Sequence, residues 1–351
     1  MAPKAKFWRH QLGKSTICRR HPLLYGTLPL FLLLIACFTT QIEARTEPDT
    51  WSELSISFLT PEKISHAGSQ MLTSLSPPFA VYNISPVGRS RNRVPIHIPN
   101  EPSVRKYIQY YRKEGRATLA GTLKRSSPYV PVMAEILESN GVPAEMIAIV
   151  MVESSFKARA AYRGAAGYWQ LLPGTARSLG LRVDRWVDER ADPIKSTQAA
   201  AKYLRSFYDQ YQCWTLAIAA YNTGDAPVTR AVKKCNATDF WELYRKSAAP
   251  SRSRTYVPKV LAAMHILRNL EAHGFEYPRN FPVYDFESIW VNSPLKLEQV
   301  AQWINVPIGQ IRDLNSSLVH DRVPPENGFA LRLPSGTRDK FDLAYEDYLK
   351  R

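Results

Sequence analysis

Residues 146–176 read MIAIVMVESSFKARAAYRGAAGYWQLLPGTA, and the single acidic residue of that stretch, Glu153, poses the question on which the fold and function turn. Seven uncharged, mostly apolar residues, Met146 to Val152, precede it without a polar face, which predicts a buried helix running into Glu153. An ionised carboxylate left unpaired in such surroundings is costly, so the group must be neutral or paired. It is either a structural ion-pair partner for one of the many arginines or a general acid whose pKa is raised by apolar neighbours. The residues that follow favour the acid. Gly164 and Gly167 allow backbone to approach a ligand, Tyr168 and Trp169 offer flat faces suited to sugar rings, and Gln170 supplies two donors and an acceptor. Such a mixture suits a carbohydrate cleft.

Outward from this stretch the texture is helical. Val104, Ile108 and Tyr111, then Val132, Ile136 and Leu137, recur at helical spacing, and Gly141-Val142-Pro143 breaks the pattern ahead of the Glu153 helix. Ala200, Leu204, Phe207, Tyr208 and Tyr211 form a further stripe, as do Leu216, Ala217, Ala220 and Tyr221. The spacing predicts a mainly α, nearly all-helical domain over 94–276. Beyond it, Ile289 to Asn292, a stripe of Leu297, Val300, Ala301 and Ile304, a stripe of Ile308, Ile311 and Leu314, and alternating Phe329, Leu331 and Leu333 predict a small β-α-α-β module over 284–337, with 338–351 as a C-terminal tail.

Composition is that of a globular chain: 351 residues, 45% hydrophobic and 11% aromatic. Residues 1–36 supply six Lys/Arg and no Asp/Glu toward a net charge of +15, and the rest of the chain remains basic. A positive surface favours polyanionic partners, among them nucleic acid, anionic lipid and the carboxylate-bearing bacterial cell wall. The basic leader precedes an apolar run, Leu23 to Ala36, short for a membrane span and suited to the h-region of a signal peptide. Leu34-Ile35-Ala36-Cys37 resembles a bacterial lipobox with Cys37 as the lipidated residue, while extension of the run to Ile42 would give an uncleaved anchor. Either reading places the protein on the periplasmic side of the cell envelope, attached to a membrane. Residues 37–93 read as a tether or lead-in. Of the four cysteines, Cys18 lies in the leader and Cys37 in the lipobox; Cys213 and Cys235 are either buried apolar thiols or, in an oxidising compartment, one disulfide.

Four separated motifs occur in order: Glu153-Ser154-Ser155-Phe156, GAAGYWQLLPGTA from Gly164 to Ala176, Ala220-Tyr221-Asn222-Thr223-Gly224, and Tyr256-Val257-Pro258-Lys259. Together they resemble the lytic transglycosylase domain of goose-type-lysozyme fold. The stretch before Glu153 and the C-terminal module extend the resemblance, over about residues 95 to 335, to the membrane-bound lytic murein transglycosylase D-like family, whose module is LysM-like. The resemblance implies cleavage of the MurNAc-GlcNAc bond of peptidoglycan glycan strands with formation of 1,6-anhydro ends. It makes Glu153 the catalytic acid and then base. Ser154 would hold Glu153 or the substrate by hydrogen bonding; Gly167, Gln170, Tyr221 and Asn222 would line the cleft, with Tyr256 beside the carboxylate. Trp169 is open between core filler and sugar platform. No cofactor and no metal is expected, since neither a metal cluster nor a nucleotide loop is apparent.

The sequence departs from the family in three places. The loop between Glu153 and Gly164 is one residue short and has Ala158 where Pro is common and Ala161-Tyr162 where the family has Ser. Arg252-Ser253 stands where the family usually has Glu-Thr, so a carboxylate has become a cation. Asn292-Ser293-Pro294-Leu295 replaces the usual Gly-Asp-Thr-Leu opening of the module, which leaves glycan binding and packing against the catalytic domain both open for it. Two other functions are weighed against the enzyme: a cell-wall scaffold of the same fold that has lost turnover, and a DNA-binding helix-turn-helix in LEQVAQWINVPIGQIRDLN, whose second helix offers only Gln310 and Arg312 as obvious donors. The exported leader argues against nucleic acid as a partner.

Overall fold

The computed structural model of the protein describes residues 96–277, 284–325 and 328–350. The leader, Cys37 and the tether lie outside the described residues. No helix among the described residues is long and apolar enough to cross a membrane.

The first domain is built of helices α1 (Pro102–Arg112), α2 (Arg116–Ser126), α3 (Val130–Ser139), α4 (Ile147–Glu153), α5 (Pro173–Ser178), α6 (Pro193–Tyr211), α7 (Trp214–Thr223), α8 (Asp225–Cys235), α9 (Phe240–Arg245) and α10 (Ser253–Arg268). Local chemistry sets several of their ends. Pro begins or nearly begins α1, α3, α5 and α6, where its missing N–H is no loss. Asp192 caps α6, its Oδ1 accepting the backbone N–H groups of Ile194 and Lys195 at 2.9 Å each, and Asp239 caps α9. Gln212 and Asn236 end α6 and α8 in the left-handed conformation. Helix α10 packs against α1, α4 and α7, and its apolar residues from Val257 to Leu267 lie in one core with Ile147 to Met151 and Leu216 to Ala220. This core fixes the end of α4, and therefore Glu153, against the face of α10.

The domain is not wholly helical. Strands β1 (Ala161–Tyr162) and β2 (Ala165–Ala166) pair antiparallel with Tyr162 opposite Ala165. The two turn residues, Arg163 and Gly164, both have positive φ, the geometry that matches the twist of a two-residue hairpin. The shortened loop after Glu153 is thus a tight hairpin, which the helical reading of this domain missed because the run of small residues has no two-residue periodicity.

The C-terminal module has the expected β-α-α-β order: β3 (Glu287–Val291), α11 (Leu297–Ile304), α12 (Ile308–Leu314) and β4 (Phe329–Leu333), with Ile289 opposite Leu331 in the antiparallel pair. The predicted stripes face inward: Leu297, Val300, Ala301, Ile304, Ile311, Leu331 and Leu333 are all buried. The segment expected to be a tail instead forms α13 (Arg338–Leu349), which docks on α11 through the buried Phe341. Leu343 and Leu349 stay exposed on this helix, which blurs its amphipathic pattern.

The module is bonded into the first domain. Val187 belongs to its core, and Phe286 and Leu314 share a small cluster with Ile136 and Ile194. Asp188 donates its backbone N–H to Ser317 O at 2.8 Å, Val319 donates to Trp186 O at 2.9 Å, and Ser316 Oγ donates to Ala191 O at 2.7 Å. At the centre, Arg332 forms a buried ion pair with Asp192 at 2.8 Å and donates to the Tyr284 hydroxyl. The would-be recognition helix of the helix-turn-helix reading is α12, packed against α11 and β4 with Arg312 donating to Asp321 at 2.6 Å.

Candidate active site

Helix α4 ends at Glu153 because the chain then reverses sharply: Ser155 and Phe156 both take left-handed φ values, near 52° and 58°. A bulky residue in that region is strained. Here buried Phe156, edge-on to Tyr168, and the donation of Arg125 Nε to Ser155 O at 2.9 Å hold the reversal. The reversal leaves Glu153 half-buried on the wall of a cleft of about 540 Å³. Tyr107 and Tyr110 of α1, Val152 and Glu153 of α4, Asn222 of α7, and Arg252, Thr255, Tyr256 and Lys259 of α10 line it. The α10 residues are spaced by three, four and seven, one continuous face of a helix.

Burial raises the Glu153 pKa, and Tyr256, Lys259 and Arg252 oppose the shift in that order. Among the described residues no ion pair closes on Glu153. The Tyr256 hydroxyl is buried beside the carboxyl without a hydrogen bond of full directional geometry, and the Asn222 side-chain oxygen is also buried without a partner. Unsatisfied buried polar atoms are uncommon and costly in a finished protein interior. Two of them beside one carboxyl make a site prepared for a polar ligand. Burial, and then the charge of Glu153, push the Tyr221 and Tyr256 hydroxyls well above the ordinary tyrosine range, so both remain donors.

The structure sorts the residues expected here. Glu153, Asn222 and Tyr256 meet in the cleft. Tyr221 is placed near Glu153, with its hydroxyl donating to Trp169 O at 2.7 Å, which ties α7 to the segment after the hairpin. Gln170 donates to Ala160 O and Gly167 O at 2.9 Å each and so closes the hairpin base. Three expectations are corrected. Trp169 is fully buried and donates to Thr197 Oγ1, which makes it core filler and removes it as a sugar platform. Ser154 is buried and its hydroxyl donates back to Val150 O at 3.2 Å, because the chain reversal turns it into the domain and away from the carboxyl. Gly167 does serve close backbone approach, but to protein: a Cβ there would lie 1.8 Å from Arg190 O. Cys213 and Cys235 are both free. The Cys213 sulfur sits 3.2 Å from the Thr215 hydroxyl, and both cysteines pack at the edge of the main core, so the disulfide is not formed.

Tyr107, Tyr110, Thr255 and Lys259 were missed as cleft residues. Lys259 lay inside a recognised motif, and the spacing from Tyr256 was the available signal; Tyr107 and Tyr110 come from a distant helix, and nothing local marked them.

Comparison with known proteins identifies two domains. Residues 132–244 match the family model described as transglycosylase SLT domain, and residues 285–349 match lytic transglycosylase MltD, LysM-like domain. The curated membrane-bound lytic murein transglycosylase D of Escherichia coli strain K12 is 30% identical over 227 residues, covering 63% of this chain and 49% of the relative, and the same protein of E. coli O6:H1 gives the same figures. The chain thus spans about half the length of the curated relatives it matches. A solved structure, an inactive mutant of lytic transglycosylase Slt from Pseudomonas aeruginosa, is similar over 62% of this chain and 44% of that one, with 19% identity and a TM-score of 0.35. Residues 132–244 are therefore a transglycosylase SLT domain, and residues 285–349 a LysM-like domain of the kind found in lytic transglycosylase MltD.

Proposed function

We propose that this protein is a lytic transglycosylase of the bacterial cell envelope, attached to a membrane by its N-terminal segment and acting on peptidoglycan glycan strands without a cofactor. The observation that carries the reading is one half-buried carboxyl with a raised pKa, set in a polar cleft beside two unpartnered buried polar groups. Hydrolases that invert or retain need a second carboxylate roughly 5 to 9.5 Å from the first. Glu153 is the sole acidic residue lining the described cleft. A nucleophile within the substrate fits that arrangement.

In this mechanism neutral Glu153 gives its proton to the glycosidic oxygen as the bond from that oxygen to the MurNAc anomeric carbon breaks, and GlcNAc leaves with a free hydroxyl. The C6 hydroxyl of the same MurNAc then attacks its anomeric carbon and passes its proton to the Glu153 carboxylate. The ring closes as a 1,6-anhydro sugar, the acid is regenerated, and no water is consumed. Tyr256, Lys259 and Arg252 stabilise the carboxylate between the two steps, which is the charge state that burial alone disfavours. Asn222 is placed to satisfy its free amide on an acetamido or hydroxyl group of the glycan.

Mass spectrometry of the soluble products of purified peptidoglycan tests this, with a leaderless protein and its Glu153→Gln variant side by side. Anhydro-muropeptides from the wild type alone are expected. Reducing-end products would mean that water is the nucleophile, and retained cell-wall pelleting without products would identify a scaffold.

A further inference from the structure

Arg252 and Lys259 are both cations on the cleft-lining face of α10, two turns or about 10 Å apart along the helix. Arg252 is exposed at the start of the helix, where its guanidinium donates to Asn222 O at 3.2 Å, and its remaining donors are uncommitted among the described residues. Lys259 is half-buried, and among the described residues no ion pair closes on it. Glu153 is the lone acidic group facing them, so the cleft keeps an excess of positive charge even when Glu153 is ionised. Counter-ions for one carboxyl do not require two cations, nor one of them out at the rim. The sugar rings of a glycan strand are uncharged, which leaves the side arm of the muramic residue as the source of a matching anion. With a peptide attached, the lactyl carboxyl is an amide, and the charge resides on the peptide.

We propose that Arg252 and Lys259 form a subsite for the carboxylates of the peptide stem, so that the cleft selects muramic residues carrying a free-acid stem. This rests on the transglycosylase reading. Guanidinium and ammonium groups in a partly desolvated cleft bind carboxylates through charge-assisted hydrogen bonds, and they discriminate strongly against neutral isosteres.

The test is the affinity of full-length Glu153→Gln protein, by calorimetry, for three probes. These are disaccharide-peptide oligomers with free-acid stems, the same oligomers with the stem carboxyls converted to carboxamides, and oligomers stripped of stems so that the lactyl carboxylate is exposed. The free-acid probe is expected to bind about tenfold more tightly than its amidated form, and the ratio is expected to fall to about one when Arg252→Glu is added. Raising the salt to ~1 M should narrow the ratio in the Glu153→Gln protein, since the Debye length then shrinks to about 3 Å. Equal binding of the free-acid and amidated probes overturns the proposal, whatever the stripped probe does. So does a preference that survives Arg252→Glu in a variant whose melting temperature is unchanged. Product analysis of the wild type in parallel separates the two levels: absent anhydro products with a retained charge preference would sink the activity and leave the subsite standing.

Discussion

Burial raises the Glu153 pKa more than its partners lower it, and that makes its protonation a property that can be measured. Its pKa is raised on folding, so the native state binds the extra proton as pH rises from the ordinary glutamate range toward the raised value, and stability falls across that window. Glu153→Gln removes the ionisable group. The variant is expected to melt higher than the wild type at pH 7, with the gap closing below about pH 4, where the carboxyl is protonated in both folded and unfolded chains. A variant that melts lower at pH 7 would show that the carboxylate is paired. In the proposed mechanism the neutral acid is the active form, so kcat/KM should fall on the basic side. Lysine favours the ionised carboxylate, hence Lys259→Met should raise the Glu153 pKa further and move that basic limb to higher pH. Tyr256→Phe removes the hydroxyl set beside the Glu153 carboxyl; a melting temperature close to that of the wild type with a kcat lowered by about 10- to 100-fold is the expected pair of readings.

At the scale of elements, the hairpin between α4 and α5 is held from behind. Arg190 donates to Gly164 O and Leu171 O at 3.0 Å each and pairs with Asp188, while its own carbonyl fills the space a side chain on Gly167 would need. Gly167→Ala, which adds a single methyl group against backbone at a positive φ, should cost ~3 kcal/mol or more in a denaturant titration. Trp169→Ala belongs to the same element and is expected to lose about 3–5 kcal/mol, since the indole is enclosed and its N–H is bonded. A Trp169→Ala protein of normal stability but failing sugar affinity would restore the platform role. The hairpin was hard to foresee because its turn, Arg163-Gly164, lacks the Asn or Asp that usually marks the position before the glycine.

At the scale of the whole molecule, the LysM-like domain and the SLT domain are one mechanical unit along the 184–192 segment. That segment carries Val187 into the module core, Asp192 into the buried pair with Arg332, and Arg190 toward the hairpin. Removing one member of a buried pair strands the other: Arg332→Met or Asp192→Asn alone should cost about 3–5 kcal/mol, and the double variant less than the sum. Asp192 also caps α6, a role that Asn keeps through its side-chain oxygen, so Asp192→Ala, which loses the cap as well as the pair, should be worse than Asp192→Asn. Deleting the module would expose Ile136 and Ile194 on the SLT side, and loss of cooperative unfolding or of soluble protein is the expected outcome. A truncated protein that melts like the full chain would show instead that the module is dispensable to the fold.

The amino-acid sequence by itself determined the helical class and several helices of the first domain and the β-α-α-β order of the second, and it singled out Glu153 as the candidate acid. Each of these rests on short-range signals: apolar spacing at three and four residues, prolines and capping side chains at helix starts, and a charge at the end of an apolar run. Glu153, Asn222 and Tyr256 were legible as candidates for one cleft because each lies in a motif. What only the tertiary structure decided is which way side chains face once distant segments meet. Trp169 and Ser154 are as compatible with a cleft as with a core until the reversal at Ser155 and Phe156 turns Ser154 inward and α6 offers Thr197 to the Trp169 indole. Tyr107 and Tyr110 become cleft residues because α1 lies along α10 across more than a hundred residues of chain. The tail is a packed helix because Trp303 and Tyr345 give Phe341 an apolar place to go. Local periodicity specifies that a face will be buried; the partner that buries it is chosen by contacts made only after the chain has folded back on itself.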